Sequence, residues 1–315
     1  MSIEYSIFMD ESKSEGAPTG ELPQRAEVKK ITIEDLHPVV PEENGTVIVV
    51  MRNAKDDRSE TAPDLGALKP EAAQATYQNA LAFFEGIMNS ATEAERSSLD
   101  FLIVASDTTL ITPVIRSEHK RAVETADQVM RALKETMVKY SLPNEQLLNK
   151  SGRPTELQSG RMTDLEMMKK NSDFVAKLRE NHTKDGVFQE FGAGGFWADF
   201  EIDSPELQKL RAEMGNVEGH GDAGDRVHGY VRVLAKALAL RHERHPGRRT
   251  VAVAVGHYDS ISPWLKRHVV KEDFPDFTQE LPVEQGAGIV LKIEPNSNYA
   301  DTTIQGNTYK VPLAV

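Results

Sequence analysis

Thr46-Val47-Ile48-Val49-Val50-Met51-Arg52-Asn53-Ala54-Lys55 is the stretch on which the reading of this chain turns. It opens as an unbroken apolar, β-branched run, the pattern of a strand buried on both faces between layers of helix. The run stops at a cation and an amide, Arg52 and Asn53, and the charged segment Lys55-Asp56-Asp57-Arg58 follows. Ligands of open α/β sheets bind just beyond the carboxyl ends of the strands, so Arg52 and Asn53 stand where a site is expected. The competing reading of the stretch is that Arg52 caps a strand edge and pairs with Asp56 or Asp57.

Working outward, two more runs have the same character. They are Asp100-Phe101-Leu102-Ile103-Val104-Ala105-Ser106 and Thr250-Val251-Ala252-Val253-Ala254-Val255-Gly256-His257. Helical patterns lie between them. Pro70 stands at a helix start, where proline is well tolerated, and Tyr77, Leu81, Phe84 and Met88 recur at helical spacing. A second helix begins near Ser117, with Val123, Ala126, Met130, Leu133 and Met137 as its stripe. A third carries Val227, Tyr230, Val231, Leu234 and Leu238 on one face. Arg241, His242, Arg244 and His245 crowd its end, where cations complement the helix dipole, and Pro246-Gly247 stops it.

After the last of these strands, a helix holds Ile261, Trp264, Leu265 and His268, and residues 288–293 and 308–312 read as two further strands. Alternating strands and helices imply parallel βαβ units. The expected fold is α/β, a three-layer α/β/α sandwich with a mainly parallel central sheet. Residues 45–315 form the domain, with 141–220 as an inserted cap. Residues 1–44 are polar and irregular, a partly flexible extension with a short strand expected near 30–33. The cap is read as a helix around 164–179 followed by a glycine-rich turn at 191–197. That turn does not match the dinucleotide fingerprint, and no strong strand precedes it.

Composition narrows the function classes. The 315 residues are 39% hydrophobic, enough for a large core. A net charge of −12 argues against binding nucleic acid or an anionic membrane through the overall field. The absence of cysteine excludes thiol catalysis, disulfides and cysteine-ligated metals. No secretory signal pattern and no apolar run of transmembrane length is present, so the expectation is a soluble, cytoplasmic protein.

Three strand ends or helix starts therefore carry chemistry: Arg52 with Asn53, Arg121, and Gly256-His257. Two arginines and a histidine make an anion pocket, and the planar guanidinium fork suits phosphate. In this order and context the chain resembles the histidine phosphatase, or phosphoglycerate mutase-like, superfamily. The segments that carry the resemblance are Arg52-Asn53-Ala54, the looser Leu68-Lys69-Pro70-Glu71-Ala72-Ala73-Gln74-Ala75, Ser106-Asp107, Arg121-Ala122-Val123-Glu124-Thr125-Ala126, and Gly256-His257. They span about residues 46 to 290. The resemblance implies phosphate binding by Arg52, Arg121 and His257, with His257 also in the catalytic set. It implies no cofactor and no metal, and as partner a phosphorylated small molecule or phosphoprotein.

One departure bears on chemistry. The family's nucleophilic histidine follows the first arginine, and this chain has Asn53 there. An amide nitrogen delocalises its lone pair into the carbonyl, so Asn53 cannot form a phosphohistidine. It can still donate a hydrogen bond to a phosphate oxygen. The resemblance also implies a carboxylic acid for the leaving group. Glu190 and Glu156 both fit, and the aromatic Trp197 after the first favours Glu190. Two functions stay open: a phosphohydrolase, with a mutase as its lesser alternative, if position 53 holds histidine, and a catalytically silent phosphate-ligand binder or interaction module. His220, Asp222, Asp225 and His228 match no metal-binding spacing, and His242-Glu243-Arg244-His245 is not the zincin pattern.

Overall fold

The computed structural model describes residues 28, 30–54, 68–107, 116–158, 173, 177, 183–184, 187–188, 205–215, 219–271 and 281–313. Glu190, the 191–197 turn and most of the 164–179 helix lie outside the described residues.

In chain order the elements are β1 (Thr46–Arg52), α1 (Pro70–Ser90), α2 (Glu93–Ser98), β2 (Leu99–Asp107) and α3 (Arg116–Lys139). Next come β3 (Thr155–Gln158), the small β4 (Thr183–Lys184) and β5 (Val187–Phe188), α4 (Pro205–Met214) and α5 (His220–Arg244). The chain continues through β6 (Arg249–Gly256), α6 (Tyr258–Trp264), a π-helical turn at Leu265–Val269, β7 (Gly288–Ile293), β8 (Tyr299–Ile304) and β9 (Asn307–Pro312). The main sheet has seven strands in the order β3-β2-β6-β1-β7-β8-β9. Its centre is parallel: β1 pairs with β6, β6 with β2, and β2 with β3. From β7 onward the pairing is antiparallel.

β1 is the middle strand, and its alternation assigns the layers. Val47, Val49 and Met51 join the cluster formed with α1 and α3, including Phe84, Met88, Ala126 and Leu133. Ile48 and Val50 join the opposite cluster with Val231, Leu238, Ile261 and Trp264 from α5 and α6. Successive strand residues point to opposite faces, so a run that is apolar throughout requires helices on both sides. Phe84 and Phe101 lock α1 to the sheet edge-on, with centroids 6.0 Å apart.

The sequence reading needs three corrections. The tail holds three strands, not two: β8 carries Asp301, Thr302 and Thr303, and such polar residues obscure a strand exposed on one face. Near residue 31 there is one bridge, Ile31 to Val283, and then a 3-10 turn at Ile33–Asp35 in place of a strand. Val28 and Ile31 are fully buried in the core, so the end of the extension packs against the domain. The basic end of α5 is also more than a dipole complement. Arg241 and Arg248 both bond the buried carboxylate of Asp100, Arg241 at 2.8 Å, and buried His242 meets Thr250 Oγ1 at 2.9 Å. These contacts tie the amino ends of β2 and β6 to α5. No described helix is long and apolar enough to cross a membrane.

Candidate functional site

The carboxyl ends of β1 and β6 lie side by side. Arg52 is the register partner of Gly256, and Asn53 N donates to Gly256 O at 2.8 Å. That pairing brings Asn53 next to the peptide leading into His257. On the other flank β7 closes in. Arg52 N donates to Ala287 O at 2.7 Å, and Gly286 N donates to Asn53 O at 3.3 Å. Gly288 permits this approach, since a Cβ there would sit 2.1 Å from Val50 O.

The side chains at this end are held by backbone. Arg52 is half-buried, and its guanidinium donates to Val283 O. The competing reading paired Arg52 with Asp56 or Asp57, and both lie outside the described residues. Asn53 is 3% exposed, and its Nδ2 donates to Ala54 O at 2.9 Å. The Asn53 amide is thus fixed in place and out of bulk solvent.

Arg121 arrives from α3 through a relay. Ala54 N donates to Thr125 Oγ1 at 3.0 Å, and the same hydroxyl donates to Arg121 O at 2.6 Å. Thr125 is fully buried, so the residue after Asn53 is tied to the helical turn that carries half-buried Arg121. One residue earlier, Glu124 Oε2 accepts from Leu68 N at 2.7 Å, which draws the segment before α1 onto the same part of α3. Thr125 is the residue whose role the sequence reading missed. It stood in the Arg121–Ala126 segment that carries the resemblance, one turn beyond the arginine, with no role assigned to it.

His257 is half-buried and precedes α6, with its carbonyl accepting from Ile261 N at 3.0 Å. Arg52, Asn53, Arg121 and His257 therefore sit on elements that meet at one end of the sheet. Of the two candidate acids, Glu156 lies in β3 as the register partner of Ala105, with β2 and β6 between it and β1, and Glu190 lies outside the described residues. One further carboxyl is perturbed on α3: burial pushes Asp127 above the usual range, against the opposing charge of Arg153.

Asp222, Asp225 and His228, set aside for metal binding, have other contacts. Asp222 Oδ2 accepts from Gly219 N at 2.8 Å at the start of α5. Asp225 accepts from Arg267 at 2.8 Å and from His268 at 2.7 Å, and His268 stacks on His228 at 4.0 Å. Among the described residues no group of three or more histidines and carboxylates is arranged to hold a metal ion.

No protein-family model matches the chain, and no curated protein matches it in sequence. Among solved structures it is similar to the crystal structure of phosphoglycerate mutase from Bacillus anthracis str. Sterne. That similarity covers 84% of this chain and 94% of that chain, at 14% identity and a TM-score of 0.42.

Proposed function

We propose that the protein binds phosphomonoesters, on a small molecule or a phosphoprotein, at the joined ends of β1 and β6. It does so as a histidine-phosphatase-type site that lacks the covalent step. The carrying observation is Asn53: buried, held by Ala54 O, and next to Arg52 and Gly256-His257. An amide there keeps a hydrogen-bonding role while removing the nucleophile. Arg121 and Arg52 supply the positive charge that a dianionic phosphate requires.

The test is calorimetric titration with inorganic phosphate and phenyl phosphate, beside an assay of aryl phosphate hydrolysis. The expected result is saturable binding that Arg121→Ala weakens at least tenfold, a loss of about 1.4 kcal/mol, with no turnover. Absence of binding, or binding unchanged in Arg121→Ala, would overturn the assignment.

The second reading is a phosphohydrolase frame missing only its nucleophile. The relay from Ala54 through Thr125 to Arg121 favours it, because it holds the strand end and the arginine-bearing helix together around the altered position. Replacement of Asn53 by histidine separates the two readings.

A further inference from the structure

At the far end of the sheet from Arg52, the start of β1, the second half of α5 and the turn after β7 enclose a cleft of about 500 Å³. Small-molecule sites commonly have volumes in this range. Glu294, on the turn after β7, lines it with its charge offset by Lys292 at 3.6 Å, and the remaining charged lining is ordered along α5. Arg232 and Lys236 lie one turn apart at one end, and Glu243 lies two turns beyond Lys236. Residues seven apart share a helix face, and at 1.5 Å per residue Lys236 and Glu243 are separated by about 10 Å along the axis. That is too far for them to pair with each other, and among the described residues neither has another ion-pair partner.

The helix dipole has the same sense. The carboxyl end of α5, beside Glu243, is the negative pole and favours a cation. At the cationic end, Arg232 Nε donates to Leu313 O at 3.2 Å, which anchors the guanidinium against the chain's last described residue. Between the poles the walls are short and apolar at Ala235 and Ala239, and polar across the cleft at Asn296.

We propose that this cleft binds an extended zwitterion, with its anionic group at Arg232 and Lys236 and its cationic group at Glu243. Of the chemistries that fit, a short peptide with free termini meets the span best. Three extended residues reach about 10 Å, and the amides between the termini can bond the polar wall. The site is about a strand's length from the proposed phosphate site and does not depend on that assignment.

The experiment is an amide-resolved NMR titration of the full chain with triglycine. Its blocked counterpart, N-acetyl-triglycine amide, serves as the uncharged control. The expected result is saturable, millimolar binding that shifts the amides of 232–243, Glu294 and 296–298, with no saturation by the blocked peptide. Lys236→Gln and Glu243→Gln each weaken it by about two- to fivefold, the range for partly exposed charge pairs. Both residues are exposed, so the variants are expected to fold normally. No saturable shift, equal binding of the blocked peptide, or affinity unchanged in both variants would each overturn the proposal.

Discussion

Thr125 Oγ1 accepts the amide proton of Ala54 at 3.0 Å, and this single bond joins the end of the central strand to α3. The hydroxyl is fully buried and donates its own hydrogen bond to Arg121 O. Replacing it with valine keeps the shape but leaves the Ala54 amide without that partner in a dry site. An unsatisfied buried donor costs about 1–3 kcal/mol. Thr125→Val is therefore expected to lower the urea midpoint by a corresponding amount, and Thr125→Ser to recover most of it. A valine variant as stable as the parent would show that the relay is not structural.

Asp100 makes the second stability test. Its carboxylate is fully buried, while the side chains of Arg241 and Arg248 retain 29% and 27% exposure. Removing one arginine leaves the other to compensate the charge. Removing both leaves a buried carboxylate alone, the costly case at about 3–5 kcal/mol. Arg241→Met and Arg248→Met should each cost clearly less than half of the double variant, measured by chemical denaturation. Strict additivity would count against a shared site.

Stability should fall in mild acid, and the stacked histidines set the window. Burial, helped by the neighbouring charges of His268 and Arg232, lowers His228 from 6.5 to about 4. His268 is also lowered, chiefly by burial, although Asp225 opposes this. Because the unfolded chain binds protons more readily, the contribution of His228 is complete above 6.5 and is lost as pH falls through about 4, and that of His268 is lost in the same direction. Asp225 acts in the same direction. Burial disfavours its charge, but the bonds from Arg267 and His268 outweigh that and hold its carboxyl below the usual range. His228→Phe should flatten the decline of Tm between pH 6.5 and 4. An unchanged pH profile would assign the acid sensitivity elsewhere.

The parallel centre of the sheet was legible because Val47–Met51 and Val251–Val255 are apolar without interruption, and only burial on both faces explains that. β8 was not legible, since a one-faced strand with Asp301 and Thr303 has the composition of a loop. At the site, Arg52, Asn53 and His257 could be placed because strand ends are fixed points of the topology. What their side chains touch could not. The Arg52 bond to Val283 O spans 231 residues of sequence, and no local pattern encodes such a contact.

Asn53→His is the sharpest test of function. The replacement must fit a position that is 3% exposed, and overpacking a tight site costs about 1–3 kcal/mol. The hydrogen-bond geometry favours it. Asn53 Nδ2 donates to Ala54 O at 2.9 Å, and the Nδ1–H of an imidazole starts from nearly the same place. That bond would fix the proton on Nδ1 and leave the Nε2 lone pair free, which is the tautomer a phosphoryl acceptor needs. Arg121 and Arg52 would supply charge stabilisation. The assay is aryl phosphate hydrolysis by both chains, in mildly acidic and neutral buffer, with and without divalent metal, beside analysis for acid-labile phosphate and thermal unfolding of each chain. Metal-independent turnover and acid-labile phosphate only in Asn53→His are the outcomes that support the phosphohydrolase frame. A folded but inert Asn53→His chain that still binds phenyl phosphate favours the silent binder. Turnover by the Asn53 chain itself would sink the mechanistic assignment, because no nucleophile remains at that position to carry it.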